Sequence, residues 1–116
     1  MTYEKQDIKD HFYSGNSKVI QVTVYDADGN LKDLSNCELT YVLLNRTDYS
    51  TIYLRKSSHN GSSEIQVVGS GLCEIYLNPK ETLYLYGRFR HHLNVVDETG
   101  YEETVFTGYV EIHKTS

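Results

Sequence analysis

This 116-residue sequence contains five histidines and two cysteines. Their side chains are among those that most often bind metal ions or act as nucleophiles. None lies at the spacing of an H-E-x-x-H or C-x-x-C motif. His91 and His92 are adjacent, so on a strand they point to opposite faces and do not share one ion. The sequence therefore predicts no metal site and no cofactor. The seven residues are His11, His59, His91, His92, His113, Cys37 and Cys73.

An acidic turn has the D-x-D-x-N spacing that begins a calcium loop, at Asp26, Asp28 and Asn30. Such a loop requires glycine at its sixth position and glutamate at its twelfth. This sequence has Leu31 and Cys37 there. The pattern favours a solvated hairpin turn over a calcium site.

Both cysteines fall in alternating apolar segments, where a thiol behaves as a small hydrophobic side chain. No histidine has a spacing that would orient it toward either thiol, as a nucleophilic cysteine requires. A G-x-S-x-G elbow and a glycine-rich phosphate loop are also missing. We therefore expect no catalytic residues, no enzymatic activity, and two free thiols at Cys37 and Cys73.

A basic strand face lies close in sequence to two tyrosines, a combination that can bind single-stranded nucleic acid. The alternative is a strand face that pairs with neighbouring glutamates. The net charge of −5 disfavours nucleic acid as a partner. The basic residues are Arg88, Arg90 and His92, the tyrosines are Tyr84 and Tyr86, and the glutamates are Glu102, Glu103 and Glu111.

Tyrosine is over-represented, with 11 Tyr against 3 Phe and no Trp. Tyr fits any half-exposed sheet, but it is also enriched at protein interfaces, where it offers a large contact area with a polar tip. We interpret the excess as a protein interaction surface. The candidate interface residues are Tyr3, Phe12, Tyr13, Tyr25, Tyr53, Tyr76 and Tyr109.

The elements that would position these residues are strands, because apolar residues recur with a period of two. The alternation predicts strands near 18–25, 37–44, 52–55, 65–67, 73–77, 88–95 and 106–112. In 52–55, Ile52 and Leu54 are expected on one face, with Tyr53 and Arg55 on the other. The predicted core comprises Ile20, Val22, Val24, Leu39, Leu43, Ile75, Leu77, Leu93, Val95, Val110 and Ile112.

One segment departs from the strand pattern. Asn78 can cap a helix, Pro79 suits the first helical position, and Glu81 can return a hydrogen bond to the cap. Gly87 can end the segment. We predict one or two helical turns over 79–85, crossing between sheets.

Length and composition fit one globular domain, with 39% hydrophobic and 23% charged residues. We find no apolar run long enough to span a bilayer and expect no secretory signal and no membrane partner. The prediction is an all-β fold, an antiparallel β-sandwich of seven to nine strands. Residues 14–116 would form the single sandwich domain, and 1–13 an N-terminal arm or edge strand.

An ordered series of strand and turn phrases runs through the chain. Its first part is V-x-V-x-D-A-D-G-N-x-x-D-L-S over 22–35. The second part is G-L-C-E-I-Y-L, then N-P-K-E-T, G-R-F and G-Y-V-E-I, between Gly71 and Ile112. Over roughly 17–115 this series resembles the small immunoglobulin-like β-sandwich proteins of tailed bacteriophages, including the N-terminal domain of the baseplate upper protein family.

The resemblance implies an immunoglobulin-like sandwich that serves as a non-enzymatic structural protein of the virion. Its expected role is that of a capsid decoration or cement protein on the head lattice, with a tail or baseplate adaptor as the alternative. A host-surface carbohydrate or single-stranded nucleic-acid binding module is the alternative of another class. The expected partners are major capsid, tail or baseplate proteins, and further copies of the chain in a homo-oligomer. The expected location is the virion, assembled in the host cytoplasm.

Overall fold

The computed structural model of this protein describes residues 4–5, 8–26, 28–48, 50–58 and 64–114. Within these ranges the chain forms strands with one short helix between the seventh and eighth. The elements are β1 (Glu4–Lys5), β2 (Ile8–Tyr13), β3 (Lys18–Thr23), β4 (Glu38–Asn45), β5 (Ile52–Ser57), β6 (Ile65–Gly69), β7 (Leu72–Leu77), α1 (Pro79–Thr82), β8 (Gly87–Val96) and β9 (Glu102–His113).

Two sheets pack face to face. The larger contains β9, β8, β4 and β5 in that order, with β1 and β2 both paired to β9. The smaller has the order β3-β7-β6. If β3 is taken as strand B of an immunoglobulin-like fold, the smaller sheet holds strands B, E and D, and the larger sheet holds C, F and G with β5 added beside C. The predicted all-β sandwich is confirmed.

The edge of the larger sheet departs from a purely antiparallel arrangement. β1 and β2 both run parallel to β9, with Glu4 opposite Phe106 and Tyr13 opposite His113. A parallel pair needs a long connection between its strands. Here β3 to β8 lie between β2 and β9 in the sequence, so the connection between the parallel strands is long enough.

The eleven residues predicted for the core are all buried, none more than 4% exposed. They come from both sheets and form one cluster with Leu34, Tyr41, Ile65, Cys73, Phe89 and Phe106. The alternation therefore gives the correct inward face for β3, β4, β7, β8 and β9, because one residue of slip would have moved each set outward.

The predicted alternation in β5 is wrong at Ile52. A bulge lies between the pairs Leu43–Leu54 and Leu44–Ile52, so Tyr53 is an extra residue. Ile52 therefore faces outward and is 44% exposed, whereas Leu54 packs against the core.

Helix α1 is a single turn and ends at Thr82, three residues before the predicted limit. The predicted capping box is present: Asn78 Oδ1 accepts from the Glu81 backbone and Glu81 Oε1 accepts from the Asn78 backbone. The buried Thr82 hydroxyl donates to Asn16 O at 3.0 Å and accepts from Gly15 N at 3.0 Å. These bonds hold the turn against the segment after β2.

Glu81 also joins α1 to β5. Its second carboxylate oxygen pairs with the ammonium of Lys56, which is 2% exposed and also lies 3.5 Å from Glu64. Lys56 is paired with Tyr41 across β4 and β5, so its side chain enters the sandwich from the inward face. The residues next to Lys56 in the sequence give no sign that its ammonium is buried.

Candidate functional site

A concavity of about 510 Å³ lies on the outward face of the larger sheet. It crosses β5, β4 and β8 and reaches the start of β9. We call it the outer groove. The residues that line it are Thr40, Val42, Leu44, Ile52, Arg55, Arg90, His92, Asn94, Val96 and Glu102.

The floor of the outer groove is aliphatic. Val42 and Leu44 are each only 5% exposed, yet neither belongs to the core cluster between the sheets. Their register partners are His92 and Arg90 on β8, so long polar side chains stand around them. β4 is consequently buried on both faces. The run Tyr41-Val42-Leu43-Leu44 carried that signal, because four consecutive apolar residues in a strand indicate burial on both sides.

Two arginines flank this floor. Arg55 lies beside Val42 on β5, and Arg90 lies beside Leu44 on β8. From the register and ordinary strand spacings, their Cα atoms are roughly 12 Å apart on the diagonal. Arg55 is exposed, and its guanidinium forms no hydrogen bond or ion pair with the residues that the structure describes.

The opposite end of the groove is a polar network. Asn94 Nδ2 donates to Glu102 Oε1 at 3.2 Å, and Thr104 Oγ1 donates to Asn94 Oδ1 at 2.9 Å. The Glu102 carboxylate at this end of the groove is therefore held by its hydrogen bond from Asn94. Arg90 lies toward the other end, level with Leu44 and Ile52, whereas Arg55 is level with Val42.

His92 lies between the two ends. Burial lowers the pKa of His92, and the nearby Arg90 guanidinium lowers it further. The imidazole is therefore neutral at neutral pH. The positive charge of the groove comes from Arg55 and Arg90.

Among the predicted interface residues, Tyr109 lies closest in register to the groove. Tyr109 lies on β9, and its register partner on β8 is Arg90. The Arg88 guanidinium is 4.4 Å from the centroid of the Tyr109 ring. Glu111 is the register partner of Arg88. The predicted basic strand face therefore carries its own aromatic and acidic neighbours.

Of the other predicted interface residues, those whose side chains the structure describes lie on different parts of the molecule. Tyr53 is 43% exposed, and its hydroxyl accepts from Asn45 Nδ2 at 3.0 Å. Tyr76 lies on the smaller sheet and donates to Glu74 at 2.6 Å. Tyr25, 50% exposed, is in the hairpin after β3.

The N-terminal candidates lie at the β2 edge. Tyr13 is 46% exposed, and its ring is 5.8 Å from that of His113. Phe12 is opposite Ile112 in register, and its side chain lies outside the described residues. Tyr3 also lies outside them.

Tyr84 and Tyr86 line a second concavity, of about 420 Å³, with Leu83 and Lys114. Neither tyrosine lines the outer groove. The two tyrosine rings therefore lie in a different concavity from Arg90 and His92. A nucleic-acid site on this strand face would need the rings and the basic side chains together.

The candidate nucleophiles have unfavourable surroundings. Burial raises the pKa of the Cys73 thiol to about 11 and also raises the pKa of Cys37. Both cysteines are free thiols. Low thiolate content makes each a poor nucleophile at neutral pH.

The acidic turn is organised around its own backbone. Asp26 Oδ1 accepts from the backbone N–H of Asp28 at 2.9 Å and of Asn30 at 3.0 Å. Across the described ranges, we find no group of three or more His, Cys, Asp or Glu side chains arranged to hold a metal ion. His59 and the side chain of His11 lie outside those ranges.

No known family model matches this sequence, and a search of curated proteins finds no relative. In the described part of the chain, α1 is far too short to cross a bilayer, and no other helix is present that could do so.

Proposed function

We propose that this protein is a non-enzymatic structural protein of a bacteriophage particle that docks on a neighbouring virion protein through the outer groove. The observation that carries the proposal is the aliphatic floor of Val42 and Leu44, built on the outward face of a sheet whose other face already contains the core. The ordered strand and turn phrases support the phage context.

The proposed role is that of a decoration or cement protein on the capsid, and the tail or baseplate is the alternative location. A sandwich suits this role because its sheet faces are rigid and need no bound group to keep their shape. A protein segment that covers the groove removes apolar surface from water, which is the main favourable term in association.

The test is attachment of purified protein to phage heads and, separately, to phage tails that lack it. Ile52→Asp places a charge at the edge of the groove, where the native side chain is 44% exposed. Val19→Asp is the matched control, since Val19 is 45% exposed on a strand of the smaller sheet.

We expect Ile52→Asp to weaken attachment at least tenfold, whereas Val19→Asp leaves it within twofold. Sedimentation with the particles measures the bound fraction, and circular dichroism checks that both variants fold. Equal attachment by the two variants, or no attachment to either particle part, would contradict the proposal.

A further inference from the structure

The outer groove combines a hydrophobic floor with cations in a chain that is acidic overall. The chain carries a net charge of −5, yet Arg55 and Arg90 flank Val42 and Leu44. A guanidinium donates two parallel hydrogen bonds to a carboxylate, so each arginine is a potential carboxylate site. Arg55 forms no such bond with the described residues.

We infer that the groove binds an extended, acidic segment of a partner protein, with an aliphatic side chain on Val42 and Leu44 and a carboxylate at each arginine. The inference rests on the proposed docking function and specifies the chemistry of the partner.

The spacing fits a segment in strand conformation. Alternate side chains of a strand point to the same face and are roughly 6.6 to 6.8 Å apart. Residues at positions 1 and 5 of a segment are then about 13 Å apart, close to the roughly 12 Å between the Cα atoms of Arg55 and Arg90. Position 3, between them, faces the floor.

The lining favours protein over nucleic acid. Single-stranded nucleic acid is held by aromatic side chains on which successive bases stack. The described residues that line the groove include no Tyr, Phe or Trp, and their one ring is that of His92. Val42, Leu44 and Ile52 instead offer an aliphatic surface, which suits an Ile, Leu or Val side chain.

The test uses a fluorescein-labelled peptide, Gly-Ser-Glu-Thr-Ile-Thr-Glu-Ser-Gly, blocked at both ends, and measures its dissociation constant by fluorescence anisotropy. Three altered peptides probe the chemistry. One has Gln in place of both Glu, one has Ser in place of Ile, and one moves the two Glu residues next to the Ile. A labelled 20-nucleotide poly-dT strand tests the nucleic-acid alternative.

We expect the parent peptide to bind at least tenfold more tightly than each altered peptide and than the poly-dT strand. Arg55→Gln and Arg90→Gln should each weaken parent binding about tenfold. Arg88→Gln is the charge-matched control, because Arg88 lies on the same face outside the lining, and it should change binding less than twofold.

Absence of parent-peptide binding, equal binding of the Gln peptide, or tighter binding of poly-dT would overturn the inference. An equal loss with Arg88→Gln would also overturn it, since that would show a diffuse charge effect. If Ile52→Asp abolishes attachment to the particle while the acidic peptide fails, the groove still docks on the particle and only the assigned partner chemistry is wrong.

Discussion

Tyr41 and His91 form a polar pair inside the apolar core. The Tyr41 hydroxyl and His91 Nδ1 share a hydrogen bond of 2.9 Å, and both residues are fully buried. Burial raises the pKa of Tyr41, so the phenol remains protonated. Gly108 is the register partner of His91 and has no side chain to compete for the inner face beside the imidazole.

Tyr41→Phe keeps the ring and removes the hydroxyl from this pair. We expect the free energy of unfolding to fall by about 1–3 kcal/mol, because a buried imidazole nitrogen loses a partner. Urea denaturation measures the loss. Tyr25→Phe is the control at a half-exposed ring and should change stability by less than about 0.5 kcal/mol. Similar small losses for both variants would show that the buried Tyr41–His91 hydrogen bond contributes little to the free energy of unfolding.

His92 makes stability depend on pH in the acidic range. Its folded-state pKa lies below the ordinary value of 6.5, because burial and Arg90 disfavour the imidazolium. Below about pH 6.5 the unfolded chain therefore binds more protons at this site than the folded protein does. The contribution of His92 is constant above that pH, and stability falls as the pH drops through 6.5 toward the lower folded-state pKa.

We expect His92→Gln to flatten this part of the stability profile. The charged groups that line the groove, Arg55, Arg90 and Glu102, remain in the variant. Thermal melts between pH 7.5 and pH 5 would show a smaller decrease in melting temperature for His92→Gln than for the native protein. Parallel profiles would mean that His92 titrates normally when folded.

At the scale of elements, α1 depends on its neighbours. A four-residue helix is too short to be stable alone. The capping box, the Thr82 hydroxyl and the ion pair with Lys56 hold it between β7 and β8. The helix is therefore held by polar contacts, whereas the strands around it are held mainly by the apolar core.

Glu81→Gln separates the two roles of that side chain. The amide oxygen can still accept from the Asn78 backbone, but the charge that pairs with Lys56 is lost. We expect a loss of about 1–3 kcal/mol, since a buried ammonium then relies on the more exposed Glu64. Chemical denaturation measures this loss, with Glu98→Gln, an exposed turn position, as the control. A loss no larger than that of the control would indicate that Glu64 and water satisfy Lys56.

The strands could be predicted because their inward residues alternate, as Ile75 and Leu77 do in β7. Lys56 could not, because burial of its ammonium depends on Glu81, which lies 25 residues away and is brought close only by packing. Ile52 could not either, since a bulge has no signature in the local pattern. In the groove, the alternation in β8 predicts that Arg90 and His92 share one strand face. Arg55 and Val42 lie beside them only because β4 and β5 pair next to β8 in the sheet.

A single hydrophobic core joins the two sheets. The described chain measures 45 × 28 × 25 Å, and residues of β3 and β7 contact residues of β4, β8 and β9 across the interior. Since both sheets depend on this single cluster, a cavity in it should destabilise the entire domain.

Leu93→Ala should lower the free energy of unfolding by about 2–5 kcal/mol, because Leu93 is 0% exposed in the centre of the cluster. Val19→Ala on the exposed face of β3 should cost less than about 0.5 kcal/mol. Guanidinium denaturation followed by circular dichroism and by tyrosine fluorescence should give coincident transitions. A loss below about 0.5 kcal/mol at Leu93 would contradict the register of β8.

The parallel pairing of β2 with β9 has a mechanical consequence. Tension that enters at the start of β2 and leaves beyond His113 pulls the two strands in opposite directions along their length, so their hydrogen bonds bear the load together. Tension applied between Asn16 and Lys114 acts at one end of the pair, near the bond from Ser14 N to His113 O, and opens the bonds one after another. Single-molecule pulling should therefore show a higher rupture force in the first geometry than in the second, and equal forces would contradict this. A particle component joined in that way would resist stretching along the strands better than peeling across them.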